Sequence, residues 1–218
     1  MVNANTNLEL NLTQFAPVMQ SPLQHFNLSA SQEKMDDAKG VWANELPLLG
    51  YLSLRGDCDN AVFAKAVNAA LGESLPTLPC SLINTPWGTI YWLSPDEWLL
   101  ICAREKQAEL QQKLLTKLSG IHSQVIDNSG GYTSVFVQGK NATDALQHCT
   151  VYNIHALAAG KIVGTTFGKS SVYLQRNNGG YTLIFRRSFA DYIWRYLARA
   201  ATPYGFGVAL LANPLAKP

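Results

Sequence analysis

The chain carries two similar stretches, YLSLRG at residues 51–56 and SVFVQG at residues 134–139. Each has the alternation of a half-buried β-strand. Both stretches end at a glycine, and the shift along the chain that carries Gly56 onto Gly139 superimposes one stretch on the other. This pair indicates that one structural unit occurs twice in the chain.

The same shift continues to hold, without a gap, after the two strands. Apolar residues that correspond under it are Phe63 and Leu146, Leu71 and Ile154, Leu110 and Ile193, and Leu114 and Leu197. The apolar run at 98–101 likewise falls on the run at 181–184. Self-similarity at a fixed offset is typical of repeated architecture, so we interpret the chain as a duplication.

Each repeat is predicted to be β-α-β-β-α. The predicted first helices are residues 60–71 and 142–153, and the predicted closing helices are residues 105–119 and 189–201. Two strands lie between the helices, joined by a turn at 94–97 in the first repeat and at 177–180 in the second. Pro95 suits the first turn, and we expect the Asn and Gly residues of the second to adopt positive φ.

Strands that alternate with helices and hairpins predict an α+β fold. The predicted boundaries are an extended N-terminal arm at 1–48, a first repeat at 49–131, a second repeat at 132–206 and a C-terminal tail at 207–218. Neither periodicity persists in the arm apart from an alternation at 8–12. Because each repeat alone would be a small, marginal domain, we expect the two to pack as one globule.

Charged residues make up 15% of the chain, against roughly 25% in an average soluble domain. The net charge of +2 argues against nucleic acid or an anionic membrane as the partner. It hides an asymmetry, because residues 1–145 carry a net charge of −5 and residues 146–218 a net charge of +7. Such asymmetry indicates an interaction face. No apolar run could span a bilayer, and no export signal begins the sequence, so a cytoplasmic protein is expected.

No combination of residues in the sequence predicts catalysis. The GTTFGKS stretch at 164–170 has three residues between its glycines, where a phosphate-binding loop needs four. His148, Cys149 and His155 lack a fourth ligand for a zinc site. Residues 160–190 contain no Asp, Glu or His for acid–base chemistry. We therefore assign no catalytic, cofactor-binding or metal-ligating residue.

Several arginines and tryptophans are candidates for contacts with a partner protein. The candidate contact residues are Arg186, Arg187, Arg195, Arg199, Trp87 and Trp92. Arg186 and Arg187 close an apolar strand. The alternative to a contact role is that they simply mark an exposed strand end. The next two lie one helical turn apart and share a face. Trp42 is interpreted, like the two candidate tryptophans, as a surface anchor, whereas Trp98 and Trp194 are predicted to lie in the core.

Several motifs together resemble the gamma subunit of heterotetrameric sarcosine oxidase. They are LSLRG at 52–56, LSPDEWLL at 93–100, VIDNS at 125–129, VQG at 137–139 and YTLIFRRSFADY at 181–192. The resemblance covers about residues 46–205. The second half is also similar to the folate-binding domain of the glycine-cleavage T-protein and related aminomethyltransferases.

The resemblance implies a T-protein-like, non-catalytic gamma subunit that assembles with alpha, beta and delta subunits. The family's enzyme oxidatively demethylates sarcosine to glycine, makes hydrogen peroxide and passes the one-carbon unit to tetrahydrofolate. The resemblance also implies that FAD, FMN and NAD belong to the two larger subunits and zinc to the smallest, and that this chain binds none of them. The alternative is a stand-alone tetrahydrofolate-binding or aminomethyl-transferring protein.

Overall fold

The computed structural model describes residues 18–211. Two β-sheets pack face to face, and each carries two helices on its outer face. The strands are β1 (Val41–Leu46), β2 (Gly50–Gly56), β3 (Leu82–Thr85), β4 (Gly88–Ser94), β5 (Glu97–Cys102), β6 (Ser123–Asp127), β7 (Tyr132–Gln138), β8 (Ile162–Phe167), β9 (Ser170–Asn177), β10 (Gly180–Arg186) and β11 (Phe206–Val208). The helices are α1 (Ala61–Leu71), α2 (Arg104–Lys117), α3 (Ala142–Gln147) and α4 (Ala190–Ala201). The predicted α+β class is confirmed.

The six-stranded sheet has the order β11-β1-β7-β10-β9-β8, and the five-stranded sheet has the order β3-β4-β5-β2-β6. When β1 is left out, both sheets follow the same path through the chain. In each, the first strand lies between the fourth strand and the strand that follows the closing helix. The pairings within the two sheets are antiparallel except for β1 with β11.

The core has three parts that follow from this layering. Side chains between the sheets form one cluster, which includes Trp42, Tyr51, Tyr91, Phe136 and Ile184. The other two clusters lie between a sheet and its helices, around α1 and α2 on one side and α3 and α4 on the other. Because successive strand residues point to opposite faces, each central strand contributes side chains to two clusters.

Strand β1 lies within the residues assigned to the N-terminal arm, which is a difference from the prediction. It pairs with β7 and β11 near the middle of the six-stranded sheet. Five of its six residues are buried, so it lacks the apolar–polar alternation that marks a strand with one exposed face. The alternation at 8–12 and the tail at 212–218 lie outside the described residues.

Each half also contains more strands than β-α-β-β-α. Strands β3 and β8 precede the predicted hairpins, and β6 and β11 follow the closing helices. Strands β3 and β11 have only four and three residues, and β8 has an exposed glycine and an exposed threonine at its centre, so the apolar signal of each is weak. The predicted hairpin turns are present, but the 177–180 turn uses no positive φ, as type I turns allow.

The predicted helix at 142–153 ends early, at Gln147. The Gln147 side chain forms hydrogen bonds with main-chain groups of the residues that follow the shortened helix. Its Nε2 donates to the Tyr152 carbonyl oxygen at 2.9 Å, and its Oε1 accepts from the Ile154 amide at 2.8 Å. By contrast, α1 begins where the sequence places it, because Asn60 Oδ1 accepts the amide hydrogen of Val62 at 2.9 Å.

The tryptophan predictions have a mixed outcome. Trp98 and Trp194 are 0% and 4% exposed, as a core position requires. Trp42 is 1% exposed, so its interpretation as a surface anchor is wrong. It belongs to β1, the strand that the sequence did not reveal, and its ring fills the space between the sheets.

Candidate functional site

Strand β10 ends at Arg186, Arg187 follows it directly, and the two side chains line different pockets. Arg186 shares a face with Ile184, which lies between the sheets. Its guanidinium carbon stands 4.4 Å from the centroid of the Tyr132 ring, directly opposite on β7. The Arg187 amide donates to the Gly131 carbonyl oxygen at 3.0 Å, and its Nη2 donates to the Gln20 carbonyl oxygen at 3.3 Å. The sheet therefore fixes both side chains at their base.

Arg186 lines an open pocket of about 650 Å³, which we call the Arg186 pocket. The lining residues are Tyr132, Val151, Gly164, Thr165, Thr166, Ser171, Val172, Tyr173, Ile184, Phe185 and Arg186. They supply two phenols, several hydroxyls, an apolar floor and one cation. The lining contains no carboxylate and no imidazole, so it offers no ordinary group for general acid–base catalysis near neutral pH.

Burial raises the pKa of Tyr132, and the Glu97 carboxylate raises it further while the Arg186 charge lowers it. Burial also raises the pKa of Tyr173. Both phenols therefore stay protonated at neutral pH and act as hydrogen-bond donors or acceptors. Among residues 18–211, Arg186 forms no ion pair with a carboxylate. Its charge is left to face the pocket.

A second pocket, of about 380 Å³, lies around Arg187. Its lining includes the exposed apolar side chains of Val18 and Met19 and the guanidinium of Arg104. The nearby Glu45 is 6% exposed and accepts hydrogen bonds from Ser21 and Thr133. Burial raises the pKa of Glu45, and these hydrogen bonds and the Arg187 charge oppose the rise. Arg187 thus has a carboxylate of its own chain nearby, although no ion pair within residues 18–211 joins the two.

A third pocket, of about 740 Å³, brings together acidic groups that the sequence left separate. Asp57 Oδ1 accepts the Asp59 amide hydrogen at 2.9 Å. Asp96 accepts from Arg55 Nη2 at 2.8 Å and from Ser94 Oγ at 2.7 Å, and these bonds lower its pKa. The hydrogen bonds of Asp57 and Asp96 hold their turns together, and the lowered pKa keeps Asp96 ionised at neutral pH.

The residues weighed as metal ligands have separate contacts. His148 Nε2 lies 2.9 Å from the Tyr204 hydroxyl, and His155 Nε2 lies 3.6 Å from Asp144 Oδ1. Burial raises the pKa of the Cys149 thiol to about 12 and that of Cys102 to about 11, so neither is a thiolate at neutral pH. Within the described part of the chain, no three His, Cys, Asp or Glu residues form a cluster suited to a metal ion.

The other predicted contact residues lie on two different parts of the molecule. Arg195 Nε donates to Asp191 Oδ2 at 2.9 Å, and its guanidinium stands 4.8 Å from the Phe26 ring. His25 Nε2 lies 2.9 Å from the same carboxylate. These groups attach the 24–26 turn to α4, so Arg195 has a structural role within the chain. Arg199 is exposed on α4.

Trp87 and Trp92 are half-buried against the core of the five-stranded sheet, away from both arginine pockets. Trp87 Nε1 donates to the Leu71 carbonyl oxygen at 3.0 Å. The structure therefore places Arg186 and Arg187 at two different pockets and separates both from the tryptophans. Sequence reasoning missed Tyr132, Tyr173 and Thr166, although each occupies an alternating strand position beside the pocket that Arg186 lines.

Comparison with known proteins assigns the family. The model of the sarcosine oxidase, gamma subunit family matches residues 55–203. The chain belongs to this family. The resemblance stated from the sequence motifs is thereby confirmed, and the match includes all six candidate contact residues. No curated protein sequence matches the chain.

Two solved structures are similar in fold over almost all of this chain. One is the heterotetrameric sarcosine oxidase from Corynebacterium sp. U-96 in complex with pyrrole 2-carboxylate. It matches with a TM-score of 0.77 and 21% identity, over 90% of this chain and 100% of that chain. The other is glycine cleavage system aminomethyltransferase T from Bartonella henselae, with a TM-score of 0.66 and 11% identity, over 88% of this chain and 60% of that chain. At these identities the likeness concerns the fold, which is T-protein-like.

Among residues 18–211, none of the helices combines the length and apolar content needed to cross a bilayer.

Proposed function

We propose that this chain is the non-catalytic gamma subunit of a heterotetrameric sarcosine oxidase and binds the alpha, beta and delta subunits. The observation that carries the proposal is the lining of the Arg186 pocket. This pocket presents a cation, phenols and hydroxyls, yet no carboxylate or imidazole that could move a proton. Such a surface can bind and orient a partner, whereas catalysis of a demethylation needs further groups.

In this proposal, the chain supports oxidative demethylation of sarcosine to glycine, with formation of hydrogen peroxide and transfer of the one-carbon unit to tetrahydrofolate. FAD, FMN and NAD would bind the larger subunits, and zinc the smallest. The family match and the likeness to a heterotetrameric sarcosine oxidase support a role among other subunits. The basic second half, with a net charge of +7 over 146–218, supplies the contact charge.

We also propose that the two halves descend from one duplicated unit. The constant shift between the repeats and the common strand order support this. The shift that carries Gly56 onto Gly139 also moves the strand parts 88–94 and 97–102 to 171–177 and 180–185, which fall within β9 and β10. Strand β1 has no counterpart in the other sheet. The arm predicted at 1–48 would add contacts through its exposed side chains, such as Val18 and Met19.

The second candidate function is a stand-alone protein that binds tetrahydrofolate or transfers an aminomethyl group. The T-protein-like fold favours it. Isothermal titration calorimetry of the purified chain with tetrahydrofolate separates the two functions. Our proposal predicts no saturable heat up to about 1 mM, a concentration at which even weak binding of about −4 kcal/mol would register. Saturable heat that Arg186→Gln abolishes would favour the second candidate instead.

A further inference from the structure

Strand β8 leaves one edge of the six-stranded sheet open beside the Arg186 pocket. It is the last strand in the order, and within residues 18–211 its only partner strand is β9. The opposite edge, β11, is covered, because Glu33 donates its amide hydrogen to the Val208 carbonyl oxygen at 2.8 Å. Strand edges with unpaired main-chain groups are usually protected by charge, proline or a bulge. The six residues of β8, IVGTTF, contain no charge and no proline.

The hydrogen bonds at both ends of β8 show which of its main-chain groups face outward. The Arg176 amide on β9 donates to the Lys161 carbonyl oxygen, so odd-numbered residues of β8 bond to β9. Accordingly, the amides of Ile162 and Gly168 point away and donate to the carbonyl oxygens of Cys80 and Cys149, at 3.1 and 2.8 Å. Gly164 and Thr166, which lie between these two hydrogen bonds, also point their N–H and C=O groups outward.

Gly164 and Thr166 both line the Arg186 pocket, and both are exposed. Their outward main-chain groups have no main-chain hydrogen-bond partner among residues 18–211. We call these two residues the β8 window. The window offers two donors and two acceptors, spaced as one strand presents them to another. An extended peptide matches this spacing.

The side chains beside the β8 window form a row that leads to Arg186. Thr166 lies opposite Ser171, and Arg186 lies opposite Tyr132, all on the face between the sheets. A strand added at β8 would stand about 14 Å from β10, three strand spacings away. The Arg186 guanidinium lies over Tyr132, on the side of β10 away from β8. The arginine therefore has to turn across the small Ser171 to meet a long acidic side chain on the added strand.

We propose that a short extended segment of a partner subunit adds to β8 at Gly164 and Thr166 and places a glutamate in the Arg186 pocket. The chemistry of the segment follows from the site. It has no proline at the two paired positions, and its acidic side chain meets a guanidinium that lacks a carboxylate partner in the described chain. The inference rests on the proposed role as a subunit and names where and how one partner binds.

Hydrogen–deuterium exchange tests the proposal directly. The peptide spanning 162–168 is compared in the isolated chain and in the complex that the tagged chain forms with its native partners. We expect its two outward amides to exchange at least about tenfold more slowly in the complex, since they gain hydrogen bonds. A complex that forms while these amides exchange as fast as before would overturn this inference alone. Failure to form a complex would overturn the proposed function as well.

A proline variant gives the second arm of the test. Thr166→Pro removes one outward N–H but no bond to β9, and an edge strand tolerates proline in this orientation. Thr166→Val is the matched control, since it also loses the hydroxyl but keeps the N–H. We expect the proline variant to assemble about tenfold more weakly than the valine variant, which equals about 1.4 kcal/mol. Equal assembly of the two folded variants would contradict strand addition.

A second copy of this chain is the competing occupant of the edge. Slowed exchange at 162–168 that rises with the concentration of the isolated chain would identify such pairing and overturn the heterologous partner. Exchange that does not depend on concentration, together with protection only in the complex, supports the proposed segment. Both measurements use the full chain.

Discussion

Replacement of Trp42 with alanine is expected to lower the free energy of unfolding by about 3–5 kcal/mol, the usual loss for a fully buried aromatic side chain. The ring is 1% exposed and lies between the sheets. A Cβ added to Gly207 would stand 2.4 Å from its Cζ3, and the Lys39 ammonium lies 5.4 Å from its centroid. Denaturant unfolding followed by circular dichroism measures the loss. We expect this variant to assemble with its partner subunits less well only to the extent that a smaller fraction of it is folded.

Trp92→Ala is the control for this prediction. Trp92 is half-buried at the edge of the five-stranded sheet's core, so part of its ring is in water before the substitution. Its loss should be clearly smaller than that of Trp42. Equal losses for the two variants, or a loss for Trp42 below about 1 kcal/mol, would contradict the buried position of β1.

The double substitution Arg186→Glu with Arg187→Glu is expected to weaken assembly with the partner subunits about tenfold to a hundredfold. Reversing the charge places a carboxylate where we propose that a partner's carboxylate binds, and like charges brought together at an interface cost several kcal/mol. The effect should come mainly from Arg186, which faces an open pocket without an ion pair. Titration of the tagged variant against its purified partners measures the change.

Two further variants isolate the cause of this effect. Arg186→Glu alone avoids a new carboxylate beside the buried Glu45, whose pKa burial already raises. It should keep wild-type unfolding and still weaken assembly. Lys65→Glu with Lys117→Glu makes the same charge change on the exposed faces of α1 and α2, so it should leave assembly unchanged. If both double variants weakened assembly equally, net charge rather than this site would be responsible.

The sequence predicts the parts of the fold that alternate in sequence or have clear end signals. Strand β2 alternates in its sequence although five of its seven residues are buried, because Ser53 is buried with a hydrogen bond from Asn128 Nδ2. Helix α1 has Asn60 at its start and a glycine with φ of 76° at its end, and the β4–β5 turn contains Pro95. Strand β1 gives no such signal, because consecutive apolar residues fill both of its faces, one against the helices and the other against the second sheet. Strand β8 could not be predicted for the opposite reason, since its central residues are exposed or half-buried and give little apolar signal.

The candidate site could be predicted only in part. A pair of arginines that closes an apolar strand is visible in the sequence, and the structure places them at two neighbouring pockets. Which arginine is free cannot be read from the sequence. Arg187 lies near Glu45, which is far away along the chain, and Arg195 is held by Asp191 and borders the distant Phe26. Long-range partners decide the role of each charge.

The central claim is that this chain works as one subunit of a larger oxidase. The most direct test is affinity purification of the tagged full chain from its host, followed by native mass spectrometry and an absorbance spectrum of the purified species. The account predicts one copy of this chain with one copy each of three other subunits, together with the absorbance of bound flavin. Recovery of the chain alone, as a soluble monomer without flavin absorbance, would contradict it.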